Sequence, residues 1–238
     1  MNKINVLIPA AGKGSRSGLN YPKTLFKIKN KEILLRIIEL LKNIDNEPTI
    51  IVSPEGKNHI KKFLIDNNQK ANLVIQERPL GMGNAILQFK DSLKFNKAEN
   101  ILLIWGDIPF IRKETIKIMI DHHFKYKCDF TLITKNVNSA YTLVNRDSEN
   151  KIVDISETRE LGLKPKQGER DIGLFIFNKD IVMSILQENL ENKYGDKTGE
   201  HGFLYIIKYL SLRGFRIDGL PIAKDIEIKS LNFLNDLI

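Results

Sequence analysis

Apolar residues fall first into short unbroken runs separated by stretches with helical spacing. Ile4 to Pro9 is closed by Pro and Gly, and Thr49 to Ser53 is cut off by Pro54. Leu73 to Gln76, Ile101 to Trp105 and Phe130 to Thr134 complete the set. Runs of this length bounded by turn residues predict strands buried on both faces. Between them, Ile33, Leu34, Ile37, Ile38 and Leu41 recur at the helical period. Ile60, Phe63 and Leu64, then Gly83 to Leu93, then Ile116 to Phe124 mark three more helices. Strands alternating with helices predict an α/β fold: a Rossmann-like, mostly parallel sheet flanked by helices on both faces.

The rhythm changes after about residue 136. Tyr141 to Asn145 and Lys151 to Ile155 pair around the polar turn Arg146 to Asn150, and Leu174 to Phe177 is a further strand. Helices follow at Asp180 to Leu190 and Gly202 to Leu212. This divides one 238-residue domain into a core over about residues 1–136, a small β lobe over about 137–220 and a C-terminal return over about 221–238. In open α/β sheets ligands bind at the carboxyl ends of the strands. Ala10 to Lys23, Glu77 to Gly83 and Gly106 to Pro109 all follow strands there.

Composition narrows the function classes. The net charge is +8, but the excess is lysine spread along the chain, with no basic arm and no interleaved aromatics. That argues against a nucleic-acid partner. No apolar run approaches the roughly 20 residues that span a bilayer, so no membrane association is expected. The single cysteine, Cys128, excludes an internal disulfide and suits a small half-buried residue. With no leader pattern at the N-terminus, the expected location is cytoplasmic. His122 and His123 read as ordinary helix surface, with no cysteine or second histidine pair at metal-ligand spacing.

The candidate chemistry begins after the first strand. Gly12 and Gly14 permit a tight turn that aims amide N–H groups at an anion, and Lys13, Arg16 and Lys23 add positive charge. The order fits neither a dinucleotide fingerprint, where Ser17 stands at the third glycine, nor a Walker A loop. The string Ala10-Ala11-Gly12-Lys13-Gly14-Ser15-Arg16, five residues, then Pro22-Lys23 resembles the signature of the nucleoside-triphosphate transferase family. That family includes the sugar-1-phosphate nucleotidyltransferases. More weakly, nearly the whole chain resembles the uridylyltransferase domain of bifunctional N-acetylglucosamine-1-phosphate enzymes.

The resemblance implies a Mg²⁺-dependent transfer of a nucleoside monophosphate from a pyrimidine triphosphate, UTP or CTP, to a phosphorylated small-molecule acceptor. Pyrophosphate would be released. Ala10, Ala11, Gly12 and Gly14 would cradle the phosphates, with Arg16 and Lys23 as the catalytic cations. Gln76 and the backbone at Gly81, within Gln76-Glu77-Arg78-Pro79-Leu80-Gly81-Met82-Gly83-Asn84-Ala85, would read the base. Asp107, in Gly106-Asp107-Ile108-Pro109, would bind nucleotide and metal. Leu231-Asn232-Phe233-Leu234-Asn235-Asp236-Leu237 points to Asn232 as a second metal ligand, with Asp225 and Glu227 competing for that role.

The family's acceptor motifs are altered. Ala140-Tyr141-Thr142 stands where relatives that use amino sugars carry Y-G-R, and Asp171-Ile172-Gly173 stands for N-x-G. Glu157, in Ile155-Ser156-Glu157-Thr158, stands where a family glutamate contacts the sugar, so the resemblance implies Tyr141, Glu157 and Asp171 as the acceptor-binding candidates. The acceptor is left open between a sugar 1-phosphate and a non-sugar phosphate of the phosphoglutamine type used in capsule decoration. A regulator that binds nucleotide without catalysis is the rival from another class. Glu200-His201-Gly202 resembles the family's short acidic motif before the last core helix.

Overall fold

The computed structural model describes residues 3–12 and 18–231. A seven-stranded sheet runs through it in the order β11-β7-β10-β6-β1-β4-β5. Its strands are β1 (Ile4–Pro9), β4 (Thr49–Val52), β5 (Asn72–Ile75), β6 (Asn100–Ile104), β7 (Phe130–Ala140), β10 (Lys166–Asn178) and β11 (Ile217–Leu220). β1 pairs in parallel with β4 and β6, β4 with β5, and β11 with β7. Only β10 runs the other way, antiparallel to both β6 and β7. The expected mostly parallel sheet is therefore present.

Alternate residues of each strand feed two separate cores, which explains why these strands read as unbroken apolar runs. Val6, Ile8, Ile50, Val52, Leu102 and Ile104 face one way. They meet α1 (Ile33–Leu41), α2 (Pro54–Asp66) and α4 (Lys113–Lys125). Leu7, Ile51, Ile101 and Leu103 face the other. They meet α3 (Met82–Leu87), α5 (Lys179–Gln187) and α6 (Ile206–Leu212). On that side Phe130 stacks on Phe177 at 5.5 Å between ring centroids, and Phe203 meets Phe175 edge-on at 5.3 Å. At α2 the proline that ends β4 also starts the helix. Pro54 occupies the first turn, where its missing N–H costs nothing, and Ser53 caps it by accepting from the Gly56 amide at 3.0 Å.

The small β unit is the hairpin β8 (Thr142–Arg146) and β9 (Ile152–Glu157), paired as the sequence suggests. A second hairpin, β2 (Lys27–Ile28) with β3 (Lys31–Glu32), turns through Lys29 and Asn30, both at positive φ. Several bounds differ from expectation. β7 extends to Ala140 and β10 begins at Lys166 because their outer halves pair with each other beyond the core, where polar residues suffice. The helix expected over 83–93 stops at Leu87 and continues as a 3-10 turn over Gln88–Asp91. α6 begins only at Ile206. β11 carries Asp218 and Gly219, weak strand formers tolerated at an edge.

Two surface expectations are corrected. His123 is buried, with its ring nitrogens 2.9 Å from the Thr131 hydroxyl and 3.3 Å from Asn100 Oδ1. Burial, outweighing the nearby Asp129, lowers its pKa to about 4. Cys128 and Asp218 converge on His122, so a cysteine does stand at ligand distance from it. Among the described residues, no helix is long and apolar enough to cross a membrane.

Candidate active site

A cavity of about 770 Å³ opens at the carboxyl ends of the parallel strands. Pro9, Ala11 and Gly12 line it from the end of β1, Gln76 from the end of β5, and Trp105, Gly106 and Asp107 from the end of β6. Three separate sequence segments thus meet in one place. Ala10 is buried beside them, its amide donating to the Ile51 carbonyl at 2.7 Å, which fixes where the chain leaves the sheet after β1. Gly14 and Arg16 lie outside the described residues, as does Asn232.

Lys23 reaches this cavity from a 3-10 turn that follows Pro22. Its ammonium forms an ion pair with Asp107 Oδ2, and both side chains are largely buried. Gly106 keeps that corner narrow: a Cβ there would stand 2.7 Å from the Pro9 carbonyl oxygen and 2.8 Å from Thr24. Asp107 presents carboxylate oxygens to the cavity beside the loop at the end of β1. Hard oxygen donors of this kind suit Mg²⁺ bound together with phosphates, so the residues present fit that ion. Leu231, the last described residue, donates its amide to the Asp107 carbonyl at 3.0 Å, which brings the chain to Asp107 just before Asn232. The competing candidates are engaged elsewhere. Glu227 is fully buried and accepts from the Arg112 and Lys224 amides, each at 2.9 Å. Asp225 pairs with Lys135 at 2.9 Å on the surface.

Gln76 is buried at the cavity wall, its amide nitrogen donating to the Gly81 carbonyl at 3.1 Å and to Asn84 Oδ1 at 2.8 Å. The adjacent glycines admit a close neighbour, but that neighbour is the chain itself. Gly81 sits at φ 100°, and a Cβ on it would lie 2.5 Å from the His201 carbonyl oxygen. The His201 amide donates to the Leu80 carbonyl at 2.7 Å, and the Gly83 amide returns to the His201 carbonyl at 3.0 Å. The Glu200-His201-Gly202 segment is thereby clamped onto the Leu80-Gly81-Met82-Gly83 turn. Burial, and next Lys193, lower the His201 pKa to about 4, so its ring is neutral near pH 7.

The acceptor candidates separate. Glu157, at the end of β9, faces the cavity. Burial and then the Asp171 carboxylate raise its pKa to about 6. Asp171 is itself fully buried and does not line the cavity. It accepts from the Thr142 hydroxyl at 2.6 Å and from the Gly173 amide at 2.9 Å, tying β8 to β10. Tyr141 is exposed, with the Arg170 guanidinium over its ring at 5.8 Å, and also lies off the cavity wall. The residues that do line this side include Asp154, Tyr194 and Tyr205, which no motif marks. Trp105 had a positional signal, since it immediately precedes Gly106-Asp107. Its ring packs on Gly173, where a Cβ would come within 2.6 Å, and its indole N–H is buried without a partner among the described residues.

Comparison with known proteins places this arrangement. Residues 6–164 match the family model of the MobA-like NTP transferase domain. The bifunctional protein GlmU of Buchnera aphidicola subsp. Schizaphis graminum is 34% identical over 194 residues, covering 80% of this chain and 41% of that protein. GlmU of Clostridium novyi is 29% identical over 232 residues, covering 96% of the chain and 49% of that protein. The chain thus spans about half the length of the curated relatives it matches. A UDP-glucose pyrophosphorylase solved with UDP-glucose superposes with a TM-score of 0.71 at 20% identity, covering 92% of this chain and 90% of that one. At that identity the likeness is one of fold. The signature at the end of β1, the three segments gathered around one cavity and the family match over most of the chain lead to one assignment: the chain belongs to the MobA-like NTP transferase domain family.

Proposed function

We propose that the protein is a nucleotidyltransferase that moves a nucleoside monophosphate from UTP or CTP to a phosphorylated small molecule such as a sugar 1-phosphate, releasing pyrophosphate. The observation that carries this reading is the Lys23–Asp107 pair in a cavity also lined by Ala11, Gly12 and Gln76. Ala10, Ala11, Gly12 and Gly14 would hold the triphosphate and Gln76 with Gly81 the base. Within the chain, residues 1–136 would carry the nucleotide, 137–220 the acceptor, and 221–238 would close the metal corner.

The reaction needs no protein base. An acceptor phosphate oxygen is already anionic near neutral pH, so it can attack the α-phosphorus directly as the bond to pyrophosphate breaks. The protein's task is alignment and charge stabilisation. Lys23 and Arg16 would neutralise the charge that builds on the leaving pyrophosphate. Asp107, with Asn232, would hold Mg²⁺, whose contribution is to draw charge from the phosphate oxygens.

One observation favours an acceptor that also carries a cationic group. On the acceptor side the cavity is lined by Asp154, Glu157, Glu160, Glu191, Asp196 and Glu200 against Arg159 and Lys208. This acidic wall belongs to a chain with a net charge of +8. Tyr194, Tyr205 and Tyr209 stand among these carboxylates, and aromatic faces with carboxylates attract ammonium groups. An amine-bearing phosphate, including one of the phosphoglutamine type, fits that wall better than a neutral sugar.

A pyrophosphate-release screen with Mg²⁺ tests both levels, crossing UTP, CTP, dTTP and GTP with neutral-sugar and amine-bearing phosphates. Turnover with a pyrimidine triphosphate supports the transferase, and preference for amine-bearing acceptors supports the acidic wall. Tight nucleotide binding with no turnover for any pair would favour the non-catalytic regulator.

A further inference from the structure

At the opposite end of the sheet from the cavity, three side chains of different elements converge. His122 lies in the last turns of α4, Cys128 in the turn before β7, and Asp218 in β11, where it pairs with Thr131. Their ligand atoms all fall within 4.8 Å of one another. His122 Nε2 is 2.7 Å and Cys128 Sγ 3.2 Å from the same oxygen, Asp218 Oδ2. We propose that His122, Cys128 and Asp218 form a binding site for a zinc-class divalent cation, separate from the phosphate-side metal and serving to lock the β7–β11 edge of the sheet.

The donor set argues for the class of ion. One imidazole nitrogen, one sulfur and one carboxylate oxygen suit a borderline cation such as Zn²⁺, whereas Mg²⁺ takes oxygen ligands. Three protein ligands leave a fourth, tetrahedral position. His122 and Asp218 keep about a quarter of their side-chain surface exposed, at 23% and 26%, so water can fill that position. Without an ion the three atoms are joined through protons: the thiol donates to Asp218, and the imidazole shares a hydrogen bond with it. Coordination replaces these contacts, releasing the thiol proton to solvent and freeing both carboxylate oxygens for the ion and for outer partners. Arg216 is placed to be such a partner, its Nη2 lying 3.4 Å from Asp218 Oδ2, the long contact of the set. A carboxylate ligand held by an outer hydrogen bond is a common arrangement at metal sites. Because the ligands come from α4, the turn before β7 and β11, the ion would tie together segments some 90 residues apart in sequence, as the Cys128–Asp218 contact already does.

The test uses the full chain in excess Mg²⁺, which saturates oxygen-only sites, with Co²⁺ as the spectroscopic probe and Zn²⁺ as competitor. The expected result is a thiolate-to-cobalt charge-transfer absorption at one equivalent, abolished by Zn²⁺ and absent in Cys128→Ser. His122→Gln and Asp218→Asn, checked for folding by circular dichroism, should each weaken Co²⁺ binding by tenfold or more. No charge-transfer band in the wild type would overturn the proposal. So would a band that persists with unchanged affinity in His122→Gln and Asp218→Asn, since that would be the cysteine acting alone.

Discussion

Gly83 lies with its backbone flat against His201: its amide donates to the His201 carbonyl at 3.0 Å, and a Cβ on it would stand 2.0 Å from the Gly202 carbonyl oxygen. No flexible side chain can yield there, because the obstacle is main chain. Gly83→Ala should therefore destabilise the fold at the upper end of overpacking costs, about 3 kcal/mol. The midpoint of urea unfolding measures it. A wild-type midpoint would mean that the 200–202 segment is not held against the 80–83 turn.

The glycines of that turn were legible in the sequence, but their partner was not. The resemblance brings a base to the backbone at Gly81. Nothing in that string shows that His201, over a hundred residues away, packs against it. The same limit applies to Asp171. A motif position suggested acceptor contact, whereas the fold buries the carboxylate between β8 and β10. The two-sided core, by contrast, was plain from the unbroken apolar runs. The outer halves of β7 and β10 were not, because they satisfy their backbone by pairing without burying apolar side chains.

Asp171→Asn is thus expected to act on stability. Asp171 accepts from two donors, the Thr142 hydroxyl and the Gly173 amide. An amide side chain turns its NH₂ toward one of them, leaving a buried donor unmet at a cost of about 2 kcal/mol. Thermal unfolding should show the loss, and KM for the acceptor should change little at temperatures where the variant is folded. An unchanged melting temperature with a raised KM would return Asp171 to the acceptor site.

Glu157 gives a pH signature. Its folded pKa, raised from 4.5 to about 6, means the native state holds the proton more tightly than the unfolded chain. Between these values stability falls as pH rises, and the loss is complete above about 6. Glu157→Gln should remove that slope and gain on the order of 1 kcal/mol near pH 7, after allowance for its partial exposure. Unfolding free energies across pH 4 to 7.5 test this. A slope that survives in Glu157→Gln would place its origin in another group.

Lys23 and Asp107 are predicted to matter for rate rather than fold. Lys23→Ala and Asp107→Ala should each lower kcat by about 10²–10³ or more, the usual scale for removing a charge-stabilising group, with near-native circular dichroism. Near-normal turnover in either variant would remove that residue from the proposed machinery.

The central claim is transfer of a nucleotidyl group to an acceptor phosphate, and ³¹P NMR of a complete reaction reads it directly. With a pyrimidine triphosphate, Mg²⁺ and the acceptor chosen by the screen, the α-phosphorus should move into a new diphosphate coupled to the acceptor phosphorus, and one pyrophosphate should appear per product. Nucleoside monophosphate and pyrophosphate without the coupled diphosphate, or no change for any acceptor despite bound nucleotide, would contradict the account.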